Sequence, residues 1–157
     1  FGAGGAARAA LWGLLQSHVS SVVIGVRNPA KGAALCKDFA ANGDVRALSF
    51  DDPTFISAMG AADIVVQTTP LGMMPHVEEM PPVDITALKP SAVVYDLIYT
   101  PAETRFLREA AARGHVTING ETMLVAQGAE AFFLWTGVRP DTELMKRVLR
   151  EELARRT

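Results

Sequence analysis

The sequence predicts an α/β fold built on a mostly parallel, doubly wound sheet. Short apolar runs alternate with stretches of helical periodicity along the chain, which is typical of parallel α/β proteins. A Gly-x-Gly-x-x-Ala turn begins at Gly2, and an amphipathic helical pattern from Leu144 to Leu153 closes the chain. A length of 157 residues fits one domain with a substantial core, and we expect that domain to span residues 1–157.

Each expected element has a local signal. The strands are β-branched or nearly continuous apolar runs, and a Pro-rich stretch at 70–90 is expected as an irregular loop. Pro29 falls in the first turn of a helix, Gly114 and Gly137 follow two others, and Asp141 caps the last. Expected strands cover 21–26, 45–50, 63–67, 92–96 and 115–119. Expected helices cover 6–16, 30–40, a short stretch from about 53, 104–113, 123–135 and 141 to about 154.

The glycine-rich turn indicates a Rossmann-like, dinucleotide-binding unit. Gly2 permits a tight turn, Gly4 lets the backbone approach a pyrophosphate, and Ala7 lets helix and strand pack closely. The free N–H groups at the start of the following helix would point at the phosphates. The motif needs a buried strand before it, of which only Phe1 is present. We therefore expect the chain to be the later part of a longer protein.

The segment after the second strand of such a unit selects between NAD and NADP. An NAD-specific unit usually has Asp or Glu there, whereas this chain has Arg27, Asn28 and, one turn on, Lys31. Arg27 can offer a forked guanidinium to a 2′-phosphate, Lys31 a second charge, and Asn28 a neutral hydrogen bond. The alternative is that both cations are simply solvated. Because of their position relative to the glycine motif, we predict NADP as the cofactor.

Three further segments follow strand ends, where ligands bind in open parallel sheets. Thr68, Thr69 and Pro70 form a turn that can present hydroxyls and backbone to ribose or nicotinamide, although an ordinary Pro/Gly turn explains them equally well. In the segment after the next strand, Leu97 can hold the nicotinamide face. Tyr99 there can point its hydroxyl into the cleft or simply bond to backbone at the rim.

The third segment follows the last strand, and a buried carboxylate lies upstream of it. Gly120 lets the backbone approach the nicotinamide, while Met123 and Gln127 lie one helical turn apart. For Met123 core packing is the alternative, and for Gln127 a partly exposed helix position. Asp96 is buried by pattern, so we expect it to be hydrogen-bonded and structural rather than a catalytic acid.

Together these segments resemble the C-terminal cofactor domain of the shikimate dehydrogenase family, whose members reduce 3-dehydroshikimate with NADPH. The resemblance covers essentially the whole chain and is carried by residues 2–6, 69–73, 96–101, 120–127 and 132–137. The last two stretches are the most specific, because generic Rossmann domains lack them.

The resemblance implies a role for each matching position. The turn of Gly2, Ala3, Gly4, Gly5 and Ala6 would hold the pyrophosphate, and Arg27, Asn28 and Lys31 would hold the 2′-phosphate. Val26 and Asn28 depart from the family's Asn and Thr, and Gln67 stands where the family has a shorter amide. The remaining cofactor positions are Thr68, Thr69, Pro70, Leu97, Gly120 and Met123; Tyr99 and Gln127 would reach the bound shikimate.

No catalytic residue is assigned within this sequence. In the family a Lys and an Asp from the N-terminal substrate domain handle the proton, and this sequence contains no such domain. The chain alone is expected to bind NADP without turnover. Two alternatives stay open: a quinate or quinate/shikimate dehydrogenase, and a non-catalytic nucleotide-binding regulatory module.

The composition of the chain limits the binding partners and the cellular location that we expect for it. A net charge of -2 argues against nucleic acid, and no apolar run reaches the length of a membrane span. The single cysteine, Cys36, fits a reducing cytoplasm, and the three histidines suggest neither a catalytic dyad nor a metal site. We expect a small-molecule substrate and a cytoplasmic location, and we keep a homodimer open.

Overall fold

The computed structural model describes residues 1–156, with side chains described to residue 155. Every expected strand and helix is present, with its ends shifted by no more than two residues, and a short 3-10 turn (Ile85–Ala87) lies in the Pro-rich loop. The strands are β1 (Val22–Val26), β2 (Val45–Ser49), β3 (Ile64–Gln67), β4 (Val93–Asp96) and β5 (Val116–Ile118). The helices are α1 (Gly5–Gln16), α2 (Pro29–Phe39), α3 (Pro53–Ala61), α4 (Arg105–Ala111), α5 (Glu121–Thr136) and α6 (Thr142–Arg156).

All strand pairs among the described residues are parallel, which confirms the predicted class. β1 pairs with β2, placing Val26 opposite Ser49. β4 lies between β3 and β5, and at its carboxyl end Asp96 is opposite Gln67. The hydrogen-bonded strands thus form a group of two and a group of three.

Between β1 and β3 the two groups are joined by Phe1 and Gly2. The Phe1 nitrogen donates to the Val66 carbonyl at 2.6 Å, and the Thr68 amide donates to the Phe1 carbonyl at 3.1 Å. The Gly2 amide donates to the Gly25 carbonyl on β1 at 2.9 Å. Beyond these bonds the two strands flank a cavity of about 500 Å³, lined mainly by apolar side chains of α1, α3, β1 and β3. Phe1 and Gly2 therefore connect β1 and β3 near the carboxyl ends of the two strands.

Helices cover both faces of the sheet, and each face has its own core. Because neighbouring residues of a strand point to opposite faces, one strand contributes to both cores. On β1, Ile24 and Val26 pack toward α1 and α2, whereas Val23 packs toward α3 and α4. The first core contains Ala7, Leu11, Leu15, Ile24, Val26, Leu35 and Phe39. The second contains Phe55, Met59, Val65, Ile85, Leu88, Ala92, Val94, Phe106, Leu107 and Ala110.

The two C-terminal helices form a hairpin. α5 ends at Gly137, whose φ of +72° favours glycine. As expected, Asp141 caps α6, its Oδ1 accepting from the amides of Glu143 and Leu144 at 3.0 Å each. α6 packs along α5, and Arg150 pairs with Glu121 at 2.7 Å. Within the described part of the chain, no helix combines the length and apolar content needed to cross a membrane.

Candidate functional site

The residues singled out in the sequence lie along one edge of the sheet. Because every described strand pair is parallel, the carboxyl ends of the five strands meet at the same edge, termed here the carboxyl edge. Arg27 follows β1, Thr68 follows β3, Leu97 follows β4, and Gly120 lies just beyond β5. At about 4.8 Å per strand position, the edge from β1 to β5 measures roughly 20 Å. Such a length suits an extended ligand such as a dinucleotide.

The glycine turn (residues 2–6) occupies the middle of this edge. Gly2 has a φ of +102°, and a Cβ at Gly2 would stand 2.9 Å from Thr69 Cγ2 and 3.0 Å from Thr68 Oγ1. Both backbone conformation and space therefore require glycine there. Gly4 is the N-cap of α1 and offers no capping side chain, and residues 4–6 are exposed. The first-turn N–H groups of α1, which lack intrahelical acceptors, are open to an anion.

Two cations stand beside the glycine turn. Arg27 and Lys31 are both exposed, and neither forms an ion pair with a carboxylate among the described residues. Asn28, which was expected to offer a hydrogen bond to the 2′-phosphate, also caps a helix. Its Oδ1 accepts from the amides of Ala30 at 3.0 Å and Lys31 at 3.3 Å, capping α2 and leaving only its amide N–H groups for a ligand. The signal was present in the sequence, since an Asn followed by Pro is a typical helix start.

The threonine turn (residues 68–71) lies against the glycine turn. Thr68 donates its hydroxyl proton to the Phe1 carbonyl at 2.5 Å. Thr69 donates its hydroxyl proton to Gln67 Oε1 at 3.0 Å, and its oxygen accepts from the Leu71 amide at 3.4 Å. Both protons are thus used within the chain. The two side chains can offer a ligand methyl groups and oxygen lone pairs, and exposed Pro70 adds an apolar surface.

Asp96 is buried and structural, which confirms the expectation from its pattern. Its Oδ1 accepts from the Ile98 amide at 3.0 Å, and its Oδ2 accepts from Thr104 Oγ1 at 2.7 Å. Thr104 in turn accepts from the Leu107 amide and caps α4. Burial raises the pKa of Asp96 to about 6, although both hydrogen bonds oppose the shift. The carboxyl group therefore ties the end of β4 to the start of α4.

The ends of β4 and β5 are in direct backbone contact. Gly120 is buried, its amide donates to the Ile98 carbonyl at 2.9 Å, and a Cβ on it would stand 1.9 Å from the Leu97 carbonyl oxygen. Its φ of −74° is ordinary, so glycine is needed here for space alone. The two segments that the sequence picked out separately, around Leu97 and around Gly120, thus form one surface.

The remaining candidate residues flank this surface. Tyr99 is half-buried, and its hydroxyl has no hydrogen bond within the described residues. Met123 is half-buried and Gln127 is exposed, one helical turn apart on α5. Among the described residues no group of three His, Cys, Asp or Glu side chains could hold a metal ion. The β5 end of the carboxyl edge therefore offers a ligand backbone polar groups, the phenol of Tyr99 and the amide of Gln127.

Comparison with known proteins points to one family. A family model described as Shikimate 5′-dehydrogenase C-terminal domain matches residues 120–150. A shikimate dehydrogenase (NADP(+)) of Desulforamulus reducens is 40% identical over 98% of this chain and 54% of its own length. The chain thus spans about half the length of the curated relatives it matches.

Solved structures agree with this similarity. A Thermus thermophilus shikimate 5-dehydrogenase in complex with NADP(H) and shikimate has a TM-score of 0.79 at 34% identity, covering 99% of this chain and 52% of that one. A quinate dehydrogenase from Corynebacterium glutamicum in complex with NAD has a TM-score of 0.85 at 29% identity, covering 96% and 53%. The fold and the placement of its strand ends are therefore shared with both kinds of dehydrogenase.

Proposed function

Because the chain belongs to the shikimate dehydrogenase family, we propose that it is the NADP-binding part of a two-domain enzyme that reversibly reduces 3-dehydroshikimate to shikimate. The observation that carries the proposal is that Arg27 and Lys31, which have no ion-pair partner among the described residues, lie beside a helix N-terminus without a side-chain cap. Both features attract phosphate, and no carboxylate follows β1 to repel a 2′-phosphate. The donor set therefore fits NADP better than NAD.

The carboxyl edge divides into regions for the parts of the cofactor. Arg27, Asn28 and Lys31 hold the 2′-phosphate, and Gly2, Ala3, Gly4, Gly5 and Ala6 hold the pyrophosphate through backbone N–H groups. The nicotinamide end lies toward Leu97 and Gly120, whose packed backbones form a flat wall. The threonine turn with Pro70 and the side chain of Met123 complete this region. When bound, NADPH supplies the hydride for reduction of the substrate carbonyl.

Substrate contacts from this chain are limited to two side chains. The Tyr99 hydroxyl has no hydrogen bond to any described residue, and Gln127 has an exposed amide, so both can bond to the hydroxyl groups of shikimate. Asp96, the only fully buried carboxylate on the carboxyl edge among the described residues, already accepts two hydrogen bonds and is not free to move a proton. We therefore assign proton transfer to groups outside this sequence, consistent with relatives about twice its length.

The test is the rate of shikimate-dependent reduction of NADP compared with NAD by the full-length protein. We expect turnover with shikimate and a clear preference for NADP. Absence of turnover with shikimate, or a preference for NAD, would overturn the proposal. Quinate in the same assay measures the second candidate, a quinate/shikimate dehydrogenase, which the similarity to the quinate enzyme favours. A nucleotide-binding regulatory module would bind NADP and turn over neither substrate.

We further propose a cytoplasmic homodimer. A single free thiol at Cys36 suits a reducing compartment. Leu134 and Trp135, near the end of α5, are 78% and 83% exposed, and Leu144 and Val148 on α6 are about half exposed. Apolar surface of this kind marks contact sites, which the rest of a longer protein or a second copy of the chain can cover. Sedimentation of the full-length protein as a monomer at micromolar concentration would contradict the dimer.

A further inference from the structure

We propose that Gln67 is a positioning residue, which fixes the threonine turn for the nicotinamide end of the cofactor without touching the cofactor itself. The inference rests on the proposed function, because it assumes that NADP lies along the carboxyl edge. Gln67 is the last residue of β3 and is fully buried, so its side chain is not available to a ligand.

The side-chain amide of Gln67 holds the turn from both ends. Its Oε1 accepts from the Thr69 amide and from Thr69 Oγ1, each at 3.0 Å. Its Nε2 donates to the Leu71 carbonyl at 3.1 Å. Since Thr69 Oγ1 also accepts from the Leu71 amide, the turn is closed by four hydrogen bonds, three of them to one planar group.

The same hydrogen bonds also fix the side chain that packs against the glycine turn. The methyl group of Thr69 stands 2.9 Å from the place a Cβ on Gly2 would take, and Thr68 is bonded to the Phe1 carbonyl. A shift of Thr69 would therefore change the surface against which Gly2 packs. Gln67 thus connects the core of the sheet to both turns that border the middle of the carboxyl edge.

The contacts of Gln67 require a neutral side-chain group that both accepts and donates hydrogen bonds, as an amide does. One atom of the group must accept two protons while another donates one, all inside the protein. Methionine has a similar length and can do neither. A carboxylate can accept but cannot donate, and its charge would be buried. A protonated carboxylic acid, however, both accepts and donates, so it reproduces the amide.

The first experiment compares two ligands on the full-length wild-type protein and its Gln67→Met variant by calorimetry. NADP+ occupies the whole edge, whereas adenosine 2′,5′-bisphosphate carries the 2′-phosphate but lacks the nicotinamide. We expect Gln67→Met to weaken NADP+ roughly tenfold and the bisphosphate by less, about two- to threefold, because the bisphosphate is affected only through the contact between Thr69 and the glycine turn. The matched control is Gln16→Met, on the exposed side of α1, which should change neither.

The outcomes separate the two proposals. Unchanged NADP+ binding by Gln67→Met, or an equal loss for both ligands, overturns the positioning role while leaving the proposed function intact. Wild-type protein that binds neither ligand overturns the proposed function and this inference with it.

The second experiment uses the Gln67→Glu variant and keeps the test open even where Gln67→Met fails to fold. NADP+ affinity is measured between pH 5 and pH 8 as a ratio to wild type at each pH, which cancels titration of the cofactor phosphate. We expect the ratio to approach one at low pH, where the buried acid is protonated, and to fall as pH rises. A ratio independent of pH would overturn the inference.

Discussion

The two ends of the carboxyl edge are built in opposite ways. At the β1 end, Arg27, Asn28 and Lys31 are exposed, and the two cations have no ion-pair partner among the described residues. At the β3–β5 end the organising residues are Gln67, Asp96 and Gly120, all buried, and the two polar side chains are fully engaged in hydrogen bonds. The β1 end presents exposed positive charge. The β3–β5 end presents a backbone surface that buried side chains hold in place through hydrogen bonds.

The difference matches what each end must recognise. A phosphate is identified by charge, which acts over a distance and tolerates mobile side chains. A nicotinamide ring must be held in one orientation, because hydride transfer requires the reacting atoms to be close and aligned. We therefore expect changes of the buried residues at the β3–β5 end to alter folding and geometry, and changes of the two cations at the β1 end to alter cofactor choice alone.

The largest expected effect is from Gly120→Ala. Its new Cβ would stand 1.9 Å from the Leu97 carbonyl oxygen, so two strand ends must separate. We expect a loss of about 3 kcal/mol or more in the free energy of unfolding, measured by urea denaturation. Gly13→Ala is the control, because nothing lies near its Cβ position on the exposed side of α1, and it should stabilise the protein by up to about 1 kcal/mol. Equal effects of the two variants would contradict the tight contact.

Asp96→Asn tests how the buried carboxylate affects the pH dependence of the free energy of unfolding. The pKa of Asp96 is about 6 in the folded protein, above its ordinary value of 3.8. The folded state therefore binds the proton more tightly, and the free energy of unfolding of the wild type should fall by about 2 kcal/mol relative to that of the variant as pH rises from 3.8 to 6. Unfolding free energies of both proteins across that range measure it.

The control for this titration is Asp84→Asn. Hydrogen bonds from Thr86 lower the pKa of Asp84, so the pH dependence has the opposite sign. The free energy of unfolding of the wild type should rise relative to that of Asp84→Asn as pH rises. A wild-type protein whose stability relative to Asp96→Asn did not change between pH 3.8 and 6 would contradict the raised pKa.

At the β1 end, Arg27→Ala should raise the Michaelis constant for NADP by roughly one to two orders of magnitude, because a charge-assisted pair with the 2′-phosphate is lost. The constant for NAD, which lacks that phosphate, should hardly change. Arg46→Ala removes the same charge from an exposed residue near the start of β2, away from the carboxyl edge, and serves as the control. An unchanged constant for NADP would remove Arg27 from the site.

The smallest expected effect is from Tyr99→Phe. The Tyr99 hydroxyl has no hydrogen bond within the described part of the chain, so its loss should leave stability and NADP binding unchanged. The Michaelis constant for shikimate should rise roughly two- to tenfold, the value of one hydrogen bond. A larger change in the constant for NADP than in that for shikimate would assign Tyr99 to the cofactor instead.

Features that depend on strand order and pattern could be predicted from the sequence. Asp96 falls in a continuous apolar run that ends a strand, so its burial and hydrogen bonding followed from the run itself. The line-up of Arg27, Thr68, Leu97 and Gly120 followed from parallel strands, because their carboxyl ends must share an edge. The placement of the candidate residues is thus a property of topology.

Features that depend on how a turn closes could not be predicted. Gln67 was expected only as an amide longer than its counterpart, and its three bonds depend on the path of residues 68–71. Gly120 was expected to let the backbone approach the nicotinamide, and the sequence did not indicate that it also makes room for the Leu97 carbonyl. Such contacts arise between segments that have no periodic relation in the sequence.

The two cores described above also bear on how a ribosome-bound chain would fold. Every buried member of the first core lies between Ala7 and Phe39, and every buried member of the second lies between Phe55 and Ala110. The buried members of each core therefore come from one stretch of the chain, and the two stretches do not overlap. We expect the nascent chain to bury its first set of apolar side chains while the second is still being synthesised, which shortens the time that either is exposed to other proteins.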